Sequence, residues 1–263
     1  MEFSHGICNL SVVPCRSEPS DKSEMITQLL FGEFFSVLKQ MGNWIYIRSG
    51  VDAYEGWIDV KQFQPISAET FEELEQTEFI CSTDSISVIE NVEKGSFFPI
   101  VMGSILPYYE GSNCNLEGYE YAFDGRTTKT APASKSECMI EHAYAFLNAP
   151  YLWGGKSPLG IDCSGFTQLV ARSAGIKLMR DAYQQAEQGV TLGFIEEADA
   201  GDLVFFDNEE GRIIHVGVLI NSREIIHASG KVRIDKIDHQ GIYNEELGKY
   251  THTLRLIKRI IES

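Results

Sequence analysis

The sequence predicts an α+β protein in two parts. An all-β region runs to about Thr130, and a domain with helices first and a mostly antiparallel sheet after follows it. Three observations carry this. Before Thr130 the chain shows short runs of alternating hydrophobicity separated by turn residues. From Ser134 the apolar residues fall at helical spacing. After Asp202 the chain returns to short strand-like runs, so helices and strands are segregated.

In chain order, "EFFSVLKQMGNWIYIRSGVDAYEGWIDVKQF" alternates in "NWIYIRS", turns at "SGVD" and resumes as a short strand at "GWIDV". Short strands at this spacing suggest a small barrel over residues 1–68. Residues 69–131 repeat the texture more loosely. There "GSFFPIVMGSILPYYEGSNCNLEGYEYAFDG" has strand-like runs broken by Gly, Pro and Asn. This reads as a second, diverged barrel, although no clean repeat aligns the two.

Residues 132–263 form the third expected domain. "SKSECMIEHAYAFLNAP" places Met139, Ala143, Phe146 and Leu147 at helical spacing, with a serine to cap it and Pro150 to end it. A glycine-rich loop leads into a second helix, "SGFTQLVARSAG". Phe166, Leu169 and Val170 share one face of it, and Gly175 is its stop. A shorter helix, "RDAYQQAEQG", has Asp181 placed to cap it. The strands "DLVFFD", "HVGVLI", "EIIHASG", "KVRIDKI" and "HTLRLIKRI" complete the domain.

Composition narrows the function. At 263 residues, 43% hydrophobic and 23% charged, this is an ordinary globular composition with room for two or three domains. A net charge of -16 argues against a nucleic-acid partner and against docking on anionic lipid. No run approaches the roughly 20 apolar residues of a membrane helix. The first residues lack a basic segment followed by an apolar core, so they do not read as a signal peptide. The expected compartment is therefore the cytoplasm; a leader removed from the chain would place the protein in the periplasm or outside the cell. Six cysteines without CxxC spacing do not read as a disulfide framework.

Cys163 stands out among them. It lies between Asp162 and Ser164, behind the loop "YLWGGKSPLGI" and at the head of an apolar helix. A thiol has a reference pKa of about 8.5 and needs help to ionise. A helix N-terminus gives some help, and a neighbouring imidazole gives more. Of the six histidines, His5 and His252 lie near the termini, His142 sits beside Glu141 and His239 is in a polar loop; these four read as solvated or incidental. His215 opens one β-branched strand and His227 ends the next, with "NSRE" short enough for a hairpin between them. Nucleophile, base and an orienting polar group could then converge. On residue types alone, a structural cysteine and a Cys–His–His zinc site stay open as alternatives.

The motifs add a resemblance. "YLWGGKSPLGIDCSGFTQLV" resembles the signature of the NlpC/P60 cysteine peptidases, and "GDLVFFD...HVGVLI" and "IIHASG" resemble that family's second and third blocks, in order, over about 130 residues. "GEFFSVL...WIYIRS...YEGWIDV" resembles a bacterial SH3-like domain. The resemblance implies a papain-like NlpC/P60 catalytic domain preceded by two small all-β SH3-like barrels. It implies Cys163 as nucleophile, His215 as general base, His227 as its orienting residue and Tyr151 beside the oxyanion hole. It needs no metal or cofactor.

The domain order resembles γ-D-glutamyl-L-diamino acid endopeptidases of the dipeptidyl-peptidase VI type, which act on murein tri- and tetrapeptides (L-Ala-γ-D-Glu-diamino acid) with a free N-terminal L-alanine. That resemblance makes Asp181, in "LMRDAYQQ", a candidate for binding the amine, with Tyr54 and Glu24 assisting from the SH3-like region. Ala182 stands where close relatives are expected to carry serine. Asp162 and Ser164 are candidates for holding the D-glutamyl group, and Asp162 is alternatively a helix cap. Two other readings remain: a wall- or peptide-binding protein with an inactive C-terminal domain, and a lipid acyltransferase, which would want an apolar groove.

Overall fold

The computed structural model describes residues 4–130 and 134–261. By its internal contacts the chain divides into two units. One comprises Met1–Thr130 with Trp153–Pro158, and the other Ala131–Leu152 with Leu159–Ser263. The boundary expected at 131/132 lies outside the described residues.

In the first unit, seven strands between His5 and Ile66 form one antiparallel sheet. Its centre is the ladder of Phe34–Met41, Trp44–Ser49 and Glu55–Asp59, the strands read from the alternation around "WIYIRS". Helix α1, Ala68–Gln76, follows. The sequence reading placed only strands here, yet the signals were present. Ser67 accepts from the Thr70 N–H as an N-cap, and Phe71 and Leu74, three apart, turn inward. A second sheet of four strands, between Ile86 and Ala122, comes after. One core joins the two sheets: Ile7, Phe31, Phe34 and Ile66 pack with Ile89, Ile100, Leu116 and Phe123, with Phe71 and Leu74 between them. The two barrels expected over 1–68 and 69–131 thus share apolar packing in a single unit.

The segment Trp153–Pro158 is held within this unit by polar contacts. The Trp153 indole N–H donates to Glu24 (2.6 Å), the Lys156 N–H to Gln28 (2.7 Å) and the Lys156 ammonium to Glu33 (2.8 Å). Lys156 and Glu33 are 2% and 1% exposed, so this ion pair is fully buried. Glu33 also accepts from the Leu30 N–H, which helps satisfy a carboxylate taken out of water.

The second unit carries helices α2 (Lys135–Ala145), α3 (Cys163–Ser173) and α4 (Ala182–Gln185). Ser134 caps α2 by accepting from the Glu137 N–H. Gly175, at φ +73°, ends α3 in the left-handed conformation that a side chain disfavours. Every residue of α3 is buried, so it is the central helix of the unit and not a surface one.

The sheet runs in the order Val190–Leu192, Lys249–Arg259, Leu203–Asp207, Ile213–Asn221, Glu224–Ser229, Lys231–Asp238, Gly241–Asn244. The long strand Lys249–Arg259 pairs with both Leu203–Asp207 and Gly241–Asn244, which closes six strands into a ring. The hairpin expected at "NSRE" is present, joining Ile213–Asn221 to Glu224–Ser229.

Candidate active site

Strand register builds the polar core of the site. Gly217 lies opposite His227, and Ile225 opposite Asp235. His215 is therefore one diagonal step from His227, and His227 one diagonal step from Asp235, all on one face of the sheet. The distances follow: His215 Nε2 to His227 Nδ1 is 2.8 Å, and His227 Nε2 to Asp235 Oδ2 is 2.9 Å. Gly217 makes room for this. A Cβ there would lie 2.8 Å from the His227 Cβ, closer than two side chains can sit.

The carboxylate fixes the tautomers. Asp235 can only accept, so His227 carries its proton on Nε2 and offers a lone pair at Nδ1. His215 must then donate from Nε2, which leaves the lone pair at its Nδ1 free to take a proton. Arg233 donates to both Asp235 oxygens (2.6 and 2.9 Å) and holds the carboxylate still. Burial pushes the Asp235 carboxyl up, but its bonds from His227 and Arg233 outweigh this and leave it below its ordinary value. Burial lowers His227 despite the bond to Asp235. Burial, then His227 and His252, hold His215 well below the ordinary imidazole value.

Cys163 is the first residue of α3, and α3 packs on the strand that carries His215. Asp162 is the N-cap, accepting from the Gly165 N–H at 2.7 Å. The help expected from the helix N-terminus is not the dominant effect. Burial pushes the Cys163 thiol up to about 12 and Asp162 adds to this, against the Val216 N–H, the Arg180 guanidinium and the Ser164 N–H. Burial thus favours the neutral form of both the thiol and the His215 imidazole. Tyr151 is half-buried, and burial, with Cys163 and Asp162 nearby, pushes its phenol up to about 12. It keeps its proton and stays a hydrogen-bond donor.

The substrate candidates fare differently. Asp162 is reassigned: its oxygens take the Arg180 guanidinium (2.6 and 3.1 Å) as well as the Gly165 N–H, so it is a buried cap and ion-pair partner, not a groove-facing group. Ser164 accepts from the same guanidinium at 2.9 Å and is also buried. Asp181, half-buried, precedes α4 as its N-cap residue and follows Arg180 directly. Tyr54 and Glu24 belong to the other unit. Tyr54 is half-buried with its N–H donating to Asp52, and the exposed Glu24 takes the Trp153 indole.

Three groups escaped the sequence reading. Asp235 looked like one polar residue of an alternating strand. Arg180 drew no reading from the sequence, yet it is 1% exposed. His252 was set aside for lying near the terminus; it stacks on His215 with ring centroids 4.3 Å apart and planes at 28°. His142, read as solvated, is buried in α2 with Nδ1 2.7 Å from the Cys138 carbonyl. Among the described residues, no cluster of three or more His, Cys, Asp or Glu side chains is arranged to hold a metal ion.

Comparison with known proteins agrees with this geometry. Residues 148–251 match the NlpC/P60 family model, and residues 15–63 match the bacterial dipeptidyl-peptidase Sh3 domain. The chain is 26% identical over 252 residues to a gamma-D-glutamyl-L-lysine dipeptidyl-peptidase of Bacillus cereus, covering 87% of this chain and 75% of that one. It is 29% identical over 228 residues to the Bacillus subtilis protein of the same name, covering 77% and 71%. It is 25% identical over 254 residues to dipeptidyl-peptidase 6 of Lysinibacillus sphaericus, covering 88% and 91%. The crystal structure of an NlpC/P60 family protein from Bacillus cereus superposes with a TM-score of 0.81 at 22% identity, over 98% of this chain and all of that one. The C-terminal part of the chain is therefore an NlpC/P60 cysteine peptidase domain, joined to an N-terminal bacterial dipeptidyl-peptidase SH3 domain.

Proposed function

We propose that the protein hydrolyses the γ-D-glutamyl–diamino acid bond of murein peptides that carry a free N-terminal L-alanine. The observation that carries the chemistry is the tautomer-setting chain Asp235–His227–His215, which leaves a basic nitrogen on the strand that α3 and Cys163 pack against. The names of the relatives supply the bond.

His215 Nδ1 takes the thiol proton as Cys163 Sγ attacks the γ-carbonyl of D-glutamate. The Cys163 N–H and the Tyr151 O–H donate to the oxyanion. His215 returns the proton to the leaving amine, and a thioester remains on Cys163. His215 then deprotonates water, which adds to the thioester and releases the acid. The proton on His215 returns to Cys163, so no oxidant, reductant or metal enters the balance. During each transfer His215 is an imidazolium, which the Asp235 carboxylate stabilises through His227.

Asp235→Asn removes that charge and the reason for the His227 tautomer. It should lower kcat by about ten- to hundredfold, the cost seen when outer partners of metal-bound imidazoles are removed. KM should stay within about twofold, because Asp235 is buried beneath His227 and meets no substrate. Unchanged kcat would end the relay at His227.

Asp181 is proposed to receive the substrate ammonium. A charge-assisted hydrogen bond of this kind contributes about 1.5–3 kcal/mol. The test uses L-Ala-γ-D-Glu-diaminopimelate and its lysine counterpart, with mass spectrometry of the released dipeptide. N-acetylating the alanine should lower kcat/KM by at least about tenfold, since roughly 1.4 kcal/mol is one decade. Equal values for free and acetylated peptides would overturn the amine site, and no cleavage of either free peptide would overturn the substrate assignment.

A further inference from the structure

His215 is pinned at one atom, its Nε2, by the hydrogen bond to His227. A ring held at a single nitrogen can still tilt about that contact, because the terminal torsion of histidine is broad. Tilting would swing Nδ1 away from the proton it must take, and small displacements of a general base are costly. Something must therefore hold the face of the ring.

His252 lies on that face. Its ring is nearly parallel to that of His215, with centroids 4.3 Å apart and an interplanar angle of 28°. It meets His227 edge-on at 5.6 Å, and Phe206 flanks both His215 and His252 at 5.8 Å. The contact exists because the strand Lys249–Arg259 closes the ring of strands, with His252 opposite Ile242. The Thr251 hydroxyl sits 2.9 Å from His252 Nδ1 and limits rotation of this ring in turn.

We propose that His252 is a positioning residue for His215, a neutral stacking platform that holds the base in plane while it carries the proton. This rests on the assignment of His215 as the base, though not on the identity of the substrate. A second imidazolium stacked at this distance would repel the charge that His215 carries during transfer, so the platform has to be neutral. His252 is kept neutral at ordinary pH: burial and then His227 lower it to about 4, against a pull upward from Asp235. Of the charged groups on the adjoining strands, Arg233 is paired with Asp235 and Arg255 with Asp207.

The test compares His252→Ala, which removes the platform, with His252→Phe, which keeps an uncharged ring. Two measurements are made. One is kcat and KM on the peptide substrate. The other is the pH dependence of Cys163 alkylation by iodoacetamide, followed by mass spectrometry of the Cys163 peptide; it needs no substrate, so it survives a wrong substrate assignment. His252→Ala should lose about tenfold in kcat, equivalent to one decade of transition-state stabilisation, with KM within about twofold. His252→Phe should stay within about threefold of the parent kcat. Opening the face of His215 to water should favour its imidazolium, so the acid limb of alkylation should rise by about half a pH unit or more in His252→Ala and remain in place in His252→Phe. Thermal melts of both variants check that each is folded. If His252→Ala keeps the parent kcat, the proposal is overturned. It is equally overturned if both folded variants lose the same kcat with no movement of the acid limb, since that pattern describes packing alone.

Discussion

Cys163→Ala should abolish peptide cleavage, with kcat falling by at least about a thousandfold, as for removal of a nucleophile that acts as one unit with its base. The fold should survive. Cys163 is 7% exposed at the head of α3, and the helix is capped by Asp162 and not by the thiol. The change trims one atom from a buried site, which costs on the order of 1 kcal/mol, as for other single-group deletions in a packed interior. Cys163→Ser separates the two effects. It keeps a side chain of similar shape, so its melting temperature should lie closer to the parent, yet a hydroxyl is a far weaker nucleophile near neutral pH and activity should still be lost. Hydrolysis of the tripeptide and a thermal melt, run on both variants, decide the matter. Turnover by the alanine variant at the parent rate would sink the peptidase mechanism.

His215→Ala should be the second large loss. General acid–base transfer contributes about a hundred- to ten-thousandfold, and His215 performs it in both half-reactions. His227→Gln should lose less than about a hundredfold, the low end of that range, because glutamine can still present an acceptor to His215 Nε2 and only the link to Asp235 is broken. The measurement is kcat for the two variants on one substrate. Equal losses would mean the two imidazoles have been given each other's tasks.

The sequence pointed to the candidate nucleophile and both candidate histidines because each sits at a segment boundary with a local signal. Cys163 follows a glycine-rich loop and opens an apolar helix, while His215 and His227 punctuate β-branched runs joined by a short turn. Asp235 had no such signal. Its neighbours in "KVRIDKI" alternate like any half-buried strand, and only the pairing of Ile225 with Asp235 brings it under His227. His252 needed more still, since its place depends on a strand that pairs on both sides and closes the sheet. Arg180 was passed over and His142 misjudged for a related reason: a charged or titratable residue looks exposed until its buried partner is known, here Asp162 and the Cys138 carbonyl. The thiol was misjudged in degree. A helix end can be seen in a sequence, but the burial that outweighs it cannot.

Gly217 changes how relatives of this chain should be sorted. A methyl group at that position would drive against the Cβ of His227 at 2.8 Å and the Ile225 side chain at 2.8 Å. A homologous chain could keep its cysteine and both histidines, pass every search for the nucleophile and base, and still be a decoy if an alanine has replaced this glycine. Its imidazoles would be displaced from one another, and the Asp235 carboxylate would no longer be linked to His215 through His227. The meeting of the two imidazoles therefore depends on a residue with no side chain, at a place where inspection for reactive groups would never look.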